Sequence, residues 1–206
     1  MLLQDCSVVS LSAMRTATLS RTTAETAIEV EWNLDGAGET SIASGIGFLD
    51  HMLEALAKHS GTALRIRCQG DLHIDGHHTT EDIGIAMGQA FRQAIGDKAG
   101  IERFGHMQVP LDEALVAATV DISGRGYAVC AVEPPASMIG DWDTELLPEW
   151  VRAFAVNAGI CLHLQQITGH NSHHLVEAAF KALARALRQA IAITGDAVPS
   201  TKGMLA

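Results

Sequence analysis

The chain has 206 residues, of which 48% are hydrophobic and 18% charged, and its formal net charge is −10. A chain of this length buries a core of its own in one or two domains. The acidic balance argues against a general binder of nucleic acid or of anionic membranes, which needs a basic surface. No apolar run approaches the roughly 20 residues of a membrane span, so we expect neither nucleic acid nor a membrane as a partner.

The first 13 residues contain no Lys or Arg, which disfavours a secretory signal or a transit peptide. We interpret residues 1–13 as a loose leader, and Met14 as an alternative start. The four cysteines lie far apart and form no CxxC pair. This spacing favours a reducing, cytoplasmic location over a disulfide or zinc-ribbon framework.

In the first half, a period of two predicts strands and helical spacing of apolar residues predicts helices. Residues 27–33 show the strand period best, because Ile28, Val30 and Trp32 alternate with polar residues. The predicted elements are strands at 17–23, 27–33 and 40–44, a helix at 48–59 ending at Gly61, a strand at 63–68 and a helix at 79–95.

The second half repeats this order. Its predicted elements are strands at 114–122 and 127–132, a helix at 146–156 ending near Gly159, a strand at 161–165 and a long helix at 174–193. The repeat is also visible in residues, since HSG at 59–61 matches NAG at 157–159 and HHTTED at 77–82 matches HHLVEA at 173–178. Self-similarity of this size indicates two copies of one supersecondary unit.

We therefore predict an α+β fold with an internal duplication of a β-sheet-plus-two-helices unit, each unit a two-layer sandwich. The predicted divisions are the leader, a first repeat at 14–100, a second repeat at 101–194 and a C-terminal substrate-binding tail at 195–206.

Each repeat carries an HHxxE motif at the start of its second helix. A His and a Glu four apart share one helix face and form a natural half-site for a divalent metal. Because successive helical residues point about 100° apart, the two histidines of one pair are expected to serve two different centres. The candidate ligands are His77, His78, Glu81, His173, His174 and Glu177. The sequence leaves open whether the repeats meet within one chain or between subunits.

The duplication adds two further candidate ligands. His51 lies ten residues before Gly61, and Glu149 lies ten residues before Gly159. Both side-chain types bind metals, and both are expected at the start of the first helix of their repeat. Mixed nitrogen and oxygen donors suit Mn²⁺, Fe²⁺ or Zn²⁺, and six-coordination with spare positions favours Mn²⁺.

Basic residues near the C-terminus suggest an anionic substrate. Lys181 continues the stripe of His173 and Glu177 along one helix face, one turn further on. The tail PSTKG at 199–203 offers hydroxyl, backbone N–H and ammonium donors for a phosphate, and Arg103 and Arg125 stand beside glycines. Alternatively, Lys181 is a solvated cation on the helix surface, and the PSTKG segment is a frayed polar tail.

Six segments together resemble the imidazoleglycerol-phosphate dehydratase family over nearly the whole chain from Met14. These are FLDHML at 48–53, DGHHTTED at 75–82, PLDEAL at 110–115, SGRGY at 123–127, GHNSHHLVEAAFKALARAL at 169–187 and PSTKG at 199–203. The resemblance implies dehydration of D-erythro-imidazole-glycerol phosphate to imidazole-acetol phosphate in histidine biosynthesis, with two Mn²⁺ ions per active site. It also implies a homo-oligomer of about 24 subunits whose sites are completed between neighbours.

The family's functional residues can be carried over position by position. The implied metal ligands are His51, His77, His78, Glu81, Glu149, His173, His174 and Glu177. The implied substrate contacts are Glu25, His59, Arg103, Arg125, Lys181, Ser200 and Lys202. Many members carry His where this chain has Glu149, so its ligand set is more negative. Glu25 is the candidate base for the C2 proton, and Glu81 and Glu177 are less suited because metal ligation lowers basicity.

Two other classes stay open on the residues alone. One is a metal-dependent hydrolase of a small phosphorylated substrate, although no HExxH motif is present. The other is a non-enzymatic metal-binding shell protein, which would not need Lys181, the two arginines or the PSTKG tail.

Overall fold

The computed structural model describes residues 14–36 and 38–205, so the predicted leader lies outside the described residues. The first half contains β1 (Thr16–Thr22), β2 (Thr26–Asn33), β3 (Ser41–Ala43), α1 (Gly47–Ser60), β4 (Ala63–Gly70) and α2 (His77–Ile95). The second half contains β5 (Phe104–Leu111), β6 (Ala114–Asp121), β7 (Tyr127–Ala131), β8 (Met138–Ile139), β9 (Trp142–Asp143), α3 (Leu146–Ala158), β10 (Cys161–Thr168) and α4 (Ser172–Ala190).

The two halves have the same sheet topology. The strand orders are β1-β2-β4-β3 and β5-β6-β10-β7. In each sheet the first three strands are antiparallel to their neighbours, and the last strand pairs in parallel. The predicted α+β class with two sheet–helix halves is confirmed.

Local sequence explains the main elements. In β2, Val30 and Trp32 are buried while Glu29 and Glu31 are exposed, as one covered sheet face requires. The first helix of each half ends at a glycine in the left-handed region, Gly61 with φ 72° and Gly159 with φ 67°. Glycine adopts this conformation without a Cβ clash, which ends both helices at the predicted positions.

Several element predictions were wrong in detail. β5 was not predicted, since its sequence FGHMQVPL contains Gly and Pro; the structure places it at a sheet edge, where Pro110 is tolerated. The short pair β8 and β9 was also missed. The second helices begin earlier than predicted, α2 at His77 and α4 at Ser172, and α4 ends at Ala190 rather than Ile193.

The helices of the two halves pack against each other. α2 covers β1 and β2 of its own sheet and packs on α3, while α4 covers β5 and β6 and packs on α1. Trp32 contacts both Phe91 and Phe154, with ring centroids 5.5 and 6.0 Å away, so the two halves share one core. Each half therefore places its first helix beside the second helix of the other half.

Within the described part of the chain, no helix is long and apolar enough to cross a membrane.

Candidate metal and substrate sites

Three candidate ligands meet where α1 packs on α4. His51 on α1 and His173 and Glu177 on α4 each offer a ligand atom, and these atoms lie within 4.8 Å of one another. Glu177 Oε2 is 2.9 Å from His173 Nε2 and 3.5 Å from His51 Nε2. We call His51, His173 and Glu177 the first cluster. Two imidazole nitrogens and one carboxylate fit a divalent transition-metal ion, and the cluster draws on both halves of a single chain.

The carboxylate of the first cluster is held in its ionised form. Burial of Glu177 opposes ionisation, but hydrogen bonds from Lys181 and His173 outweigh it and lower the pKa to about 2. Lys181 Nζ lies 2.6 Å from Glu177 Oε1. A cavity of about 710 Å³ is lined by His51, Glu177, Lys181 and His59. Two predicted substrate contacts thus lie beside the first cluster.

The equivalent residues lie where α2 meets α3. His77 Nε2 is 3.8 Å from Glu81 Oε2, and His77 shares a cavity lining with Glu149. Arg152, which was not predicted, hydrogen-bonds to Glu149, and its Nη2 lies 3.6 Å from Glu81 Oε1. We call His77, Glu81 and Glu149 the second cluster. Its two glutamates are joined through an arginine rather than gathered around one point.

The second histidine of each HH pair points elsewhere. His78 Nδ1 donates to Asp71 Oδ2 at 2.9 Å, and His174 Nδ1 donates to Glu113 Oε2 at 2.8 Å. These hydrogen bonds raise the pKa of both histidines. A carboxylate that fixes Nδ1 orients the opposite Nε2, an arrangement typical of metal-binding histidines. His78 and His174 thus lie outside the two clusters of their own chain.

Two glutamates in equivalent positions lie beside these histidines. Glu25 directly precedes β2 and Glu113 directly precedes β6. Glu25 Oε1 is 3.6 Å from His78 Nε2. Glu113 also accepts hydrogen bonds from the backbone N–H groups of residues 170 and 171, and its bonds to His174 and this backbone lower its pKa to about 2. Glu113 was missed as a site residue, although aligning β6 on β2 would have matched it to Glu25.

Four predicted substrate contacts line one separate cavity. Arg103, Arg125, Ser200 and Lys202 surround a cavity of about 320 Å³. Arg103 Nη1 donates to the carbonyl oxygen of Pro199 at 2.8 Å, and its Nε donates to Asp121 Oδ1 at 2.7 Å. Arg103 therefore holds the tail beside itself, and Arg125 and Lys202 add positive charge suited to a phosphate. This cavity shares no lining residue with the cavity of the first cluster.

The chain is similar to known proteins over most of its length. The family described as imidazoleglycerol-phosphate dehydratase matches residues 44–187. An imidazoleglycerol-phosphate dehydratase of Rhodopseudomonas palustris (strain HaA2) is 56% identical over 195 residues, which are 93% of this chain and 99% of that protein. One of Gluconobacter oxydans (strain 621H) is 57% identical over 198 residues, covering 95% of this chain and all (100%) of the relative.

Solved structures agree in fold. The crystal structure of imidazoleglycerol-phosphate dehydratase from Staphylococcus aureus subsp. aureus N315 matches with a TM-score of 0.80 and 40% identity, covering 87% of this chain and 99% of that one. The crystal structure of IGPD from Pyrococcus furiosus in complex with (S)-C348 matches with a TM-score of 0.78 and 40% identity, covering 91% and 100% of the two chains.

Proposed function

The chain belongs to the imidazoleglycerol-phosphate dehydratase family and is a hydro-lyase of histidine biosynthesis, and from this premise we propose that it works with two Mn²⁺ ions per active site in the cytoplasm. Its substrate is D-erythro-imidazole-glycerol phosphate and its product is imidazole-acetol phosphate. The observation that carries the metal proposal is the first cluster, where three donor atoms lie within 4.8 Å of one another.

The donor chemistry of both clusters suits such an ion. The first cluster supplies two nitrogens and one oxygen, and the second supplies His77 with two carboxylates. His78 and His174, oriented through Asp71 and Glu113, add the remaining donors. A bound divalent ion would act as a Lewis acid toward the imidazole ring and the hydroxyl of the substrate.

The chain's own residues bind the substrate and move its proton. Arg103, Arg125, Ser200 and Lys202 hold the phosphate, and Lys181 and His59 line the cavity at the first cluster. Fixing both ends of a small substrate turns binding energy into orientation. Glu25 takes the proton from C2, and the C3 hydroxyl gains a proton and leaves as water. The resulting enol then loses its O–H proton and gains a proton at C3, which gives the ketone. Glu177 is a poor base, because its pKa is already lowered to about 2.

Self-association completes the site in this proposal. The phosphate-binding cavity and the first cluster share no lining residue within one chain. His174 also lies outside both clusters of its own chain, where its Nε2 is 3.8 Å from Asp112 Oδ2. A closed homo-oligomer of about 24 subunits would bring the groups of neighbouring copies together.

Assay of metal-free and Mn²⁺-reloaded protein tests the proposal. With imidazole-glycerol phosphate, the reloaded protein is expected to form the ketone and the metal-free protein to form none. Release of inorganic phosphate would instead support a hydrolase, and metal binding without any reaction would support a shell protein.

Substitution of Glu25 tests its role as the base. Glu25→Gln is expected to keep metal and substrate binding and to lose turnover. Unchanged activity of this variant would show that Glu25 is not the base.

A further inference from the structure

A buried polar network joins α2 to the first two strands. Asp82 on α2 is only 7% exposed, and its Oδ2 accepts a hydrogen bond of 2.6 Å from Thr26 Oγ1. Arg21 Nη1 on β1 lies 2.6 Å from the same oxygen. A buried carboxylate is tolerated only when it is paired in this way. Arg21, Thr26 and Asp82 form what we call the α2 anchor.

The second half, where α4 packs on β5 and β6, carries apolar residues at the three equivalent positions. Ala114 begins β6 as Thr26 begins β2, and Ala178 follows its HH pair as Asp82 follows the first pair. Val109 pairs with the third residue of β6, as Arg21 pairs with the third residue of β2. An apolar trio therefore replaces the α2 anchor in an equivalent sheet–helix contact. Since the fold forms this contact without charge, stability alone does not explain the anchor.

The α2 anchor holds the turn that carries Glu25. Thr26 directly follows Glu25, and Thr23 Oγ1 accepts hydrogen bonds from the N–H groups of both residues, each at 3.1 Å. The carbonyl oxygen of Glu25 accepts from the N–H of Asp71 at 3.1 Å. The backbone of Glu25 is thus fixed on both sides while its side chain takes no part in the fixing.

The equivalent glutamate is fixed in the opposite way. The Glu113 carboxylate accepts bonds from His174 and from the backbone of residues 170 and 171. The Glu25 carboxylate is half exposed, and within residues 14–36 and 38–205 its side chain makes one ion pair, at 3.6 Å from His78. One copy is held by its side chain, and the other is held by its backbone with the carboxylate left available.

We propose that Asp82, acting through Thr26 and Arg21, is a positioning residue that fixes the Glu25 turn against α2 and leaves the Glu25 carboxylate free for proton transfer. His78 and Asp82 are four residues apart on α2 and share a face. The network therefore also sets how Glu25 lies relative to His78. The inference rests on the proposed role of Glu25 as the base.

Substitution of Thr26 in the assembled, Mn²⁺-loaded enzyme tests this role. Thr26→Val keeps the shape of the side chain but removes the donor to Asp82, and kcat is expected to fall by about 10- to 100-fold because a small misplacement of a reacting group is costly. KM and metal content are expected to stay unchanged. Thr26→Ser restores the hydroxyl and is expected to recover most of kcat.

The control and the second variant separate positioning from folding. Thr144→Val removes another buried threonine hydroxyl, which donates to the carbonyl oxygen of Ala136, and is expected to leave kcat unchanged. A triple variant, Arg21→Val, Thr26→Ala and Asp82→Ala, copies the apolar trio of the second half. It is expected to fold and to bind metal, but to show the same loss of kcat. A triple variant with normal kcat would overturn the proposal.

Combination with Glu25→Gln distinguishes the positioning role from the proposed function. In a Glu25→Gln background, Thr26→Val is expected to cause no further loss, because the group it positions is gone. If Glu25→Gln is inactive but Thr26→Val keeps its kcat, only the positioning role fails. If Glu25→Gln is fully active, the base assignment fails, and the positioning role with it.

Discussion

The first and second clusters are two versions of one arrangement. Each combines the first helix of one half with the HHxxE motif of the other. The first cluster gathers two histidines and one glutamate, whereas the second has one histidine and two glutamates, because Glu149 stands where the first half has His51. The duplicated scaffold fixes positions, and a single substitution changes the donor set without disturbing the helices.

The positive charge beside each cluster differs as well. Lys181 comes from the same helix as Glu177 and lines the first cavity. Arg152 comes from the same helix as Glu149 and is 60% exposed. Lys181 therefore pairs with Glu177 and lines the first cavity, while Arg152 bridges two carboxylates at the surface. The cation beside the first cluster thus comes from α4 and faces one carboxylate, whereas the cation beside the second cluster comes from α3 and faces two.

The largest effect is expected from removal of one ligand in either cluster. Glu177→Gln and Glu81→Gln should each reduce turnover by at least about 100-fold, since even outer partners of a metal ligand account for 10- to 100-fold. Metal content per subunit, measured with turnover, checks this. Full activity of one variant would show that only the other cluster is functional.

A smaller effect, on metal affinity, is expected when the carboxylates that orient His78 and His174 are replaced. Glu113→Gln and Asp71→Asn weaken the hydrogen bonds to Nδ1 of His174 and His78, and each should lower metal affinity by about 10- to 100-fold. Metal titration by calorimetry measures the change. Glu113→Gln should have the larger effect, because Glu113 also holds the loop before α4. Equal effects would contradict that difference.

The preference of the second cluster for Zn²⁺ over Mn²⁺ is expected to change by about tenfold when its donor set is made the same as that of the first cluster. Glu149→His gives the second cluster two nitrogens, which should raise its preference for Zn²⁺ over Mn²⁺. Competition titration of the two metals measures the shift. His51→Glu is the matched opposite change and should lower the Zn²⁺ preference of the first cluster. Shifts of the same sign in both variants would be inconsistent with donor identity as the cause.

The smallest effect is expected for Arg152. Arg152→Gln removes an exposed ion pair, so the free energy of unfolding should change by less than about 1 kcal/mol. Denaturant unfolding measures this. Lys181→Gln serves as the comparison, and it should raise KM for the substrate because Lys181 lines the first cavity. A rise in KM of similar size for Arg152→Gln would place Arg152 at the substrate.

Most helices and strands could be predicted from the sequence because the patterns that mark them are local. Alternation in β2 and the glycines at positions 61 and 159 mark elements directly. β5 was not predicted, because Gly105 and Pro110 interrupt its strand pattern and because its position at a sheet edge depends on tertiary structure. The pairing of helices between halves was left open, since no local pattern specifies which helix packs on which.

The site was predictable as a set of residues but not as an arrangement. Paired motifs predicted the candidate ligands, whereas the separation of His78 from His77 into different surroundings required the positions of Asp71 and Glu25. Glu113 was missed because its partner His174 lies on another element, and Arg152 was missed because its bridging position depends on Glu81 of α2 as well as on Glu149 of its own helix. Glu113 was within reach, however, since the duplication alone matches it to Glu25.

The crossed pairing of helices has a consequence for how such a chain arose. A single half-length chain could not assemble either cluster, because each cluster needs one helix from each half. A half-length ancestor would have worked only as a dimer of identical copies, with two identical clusters. Fusion of two copies of such a gene would make that partnership permanent, and it would release each copy from the requirement to remain the same as the other.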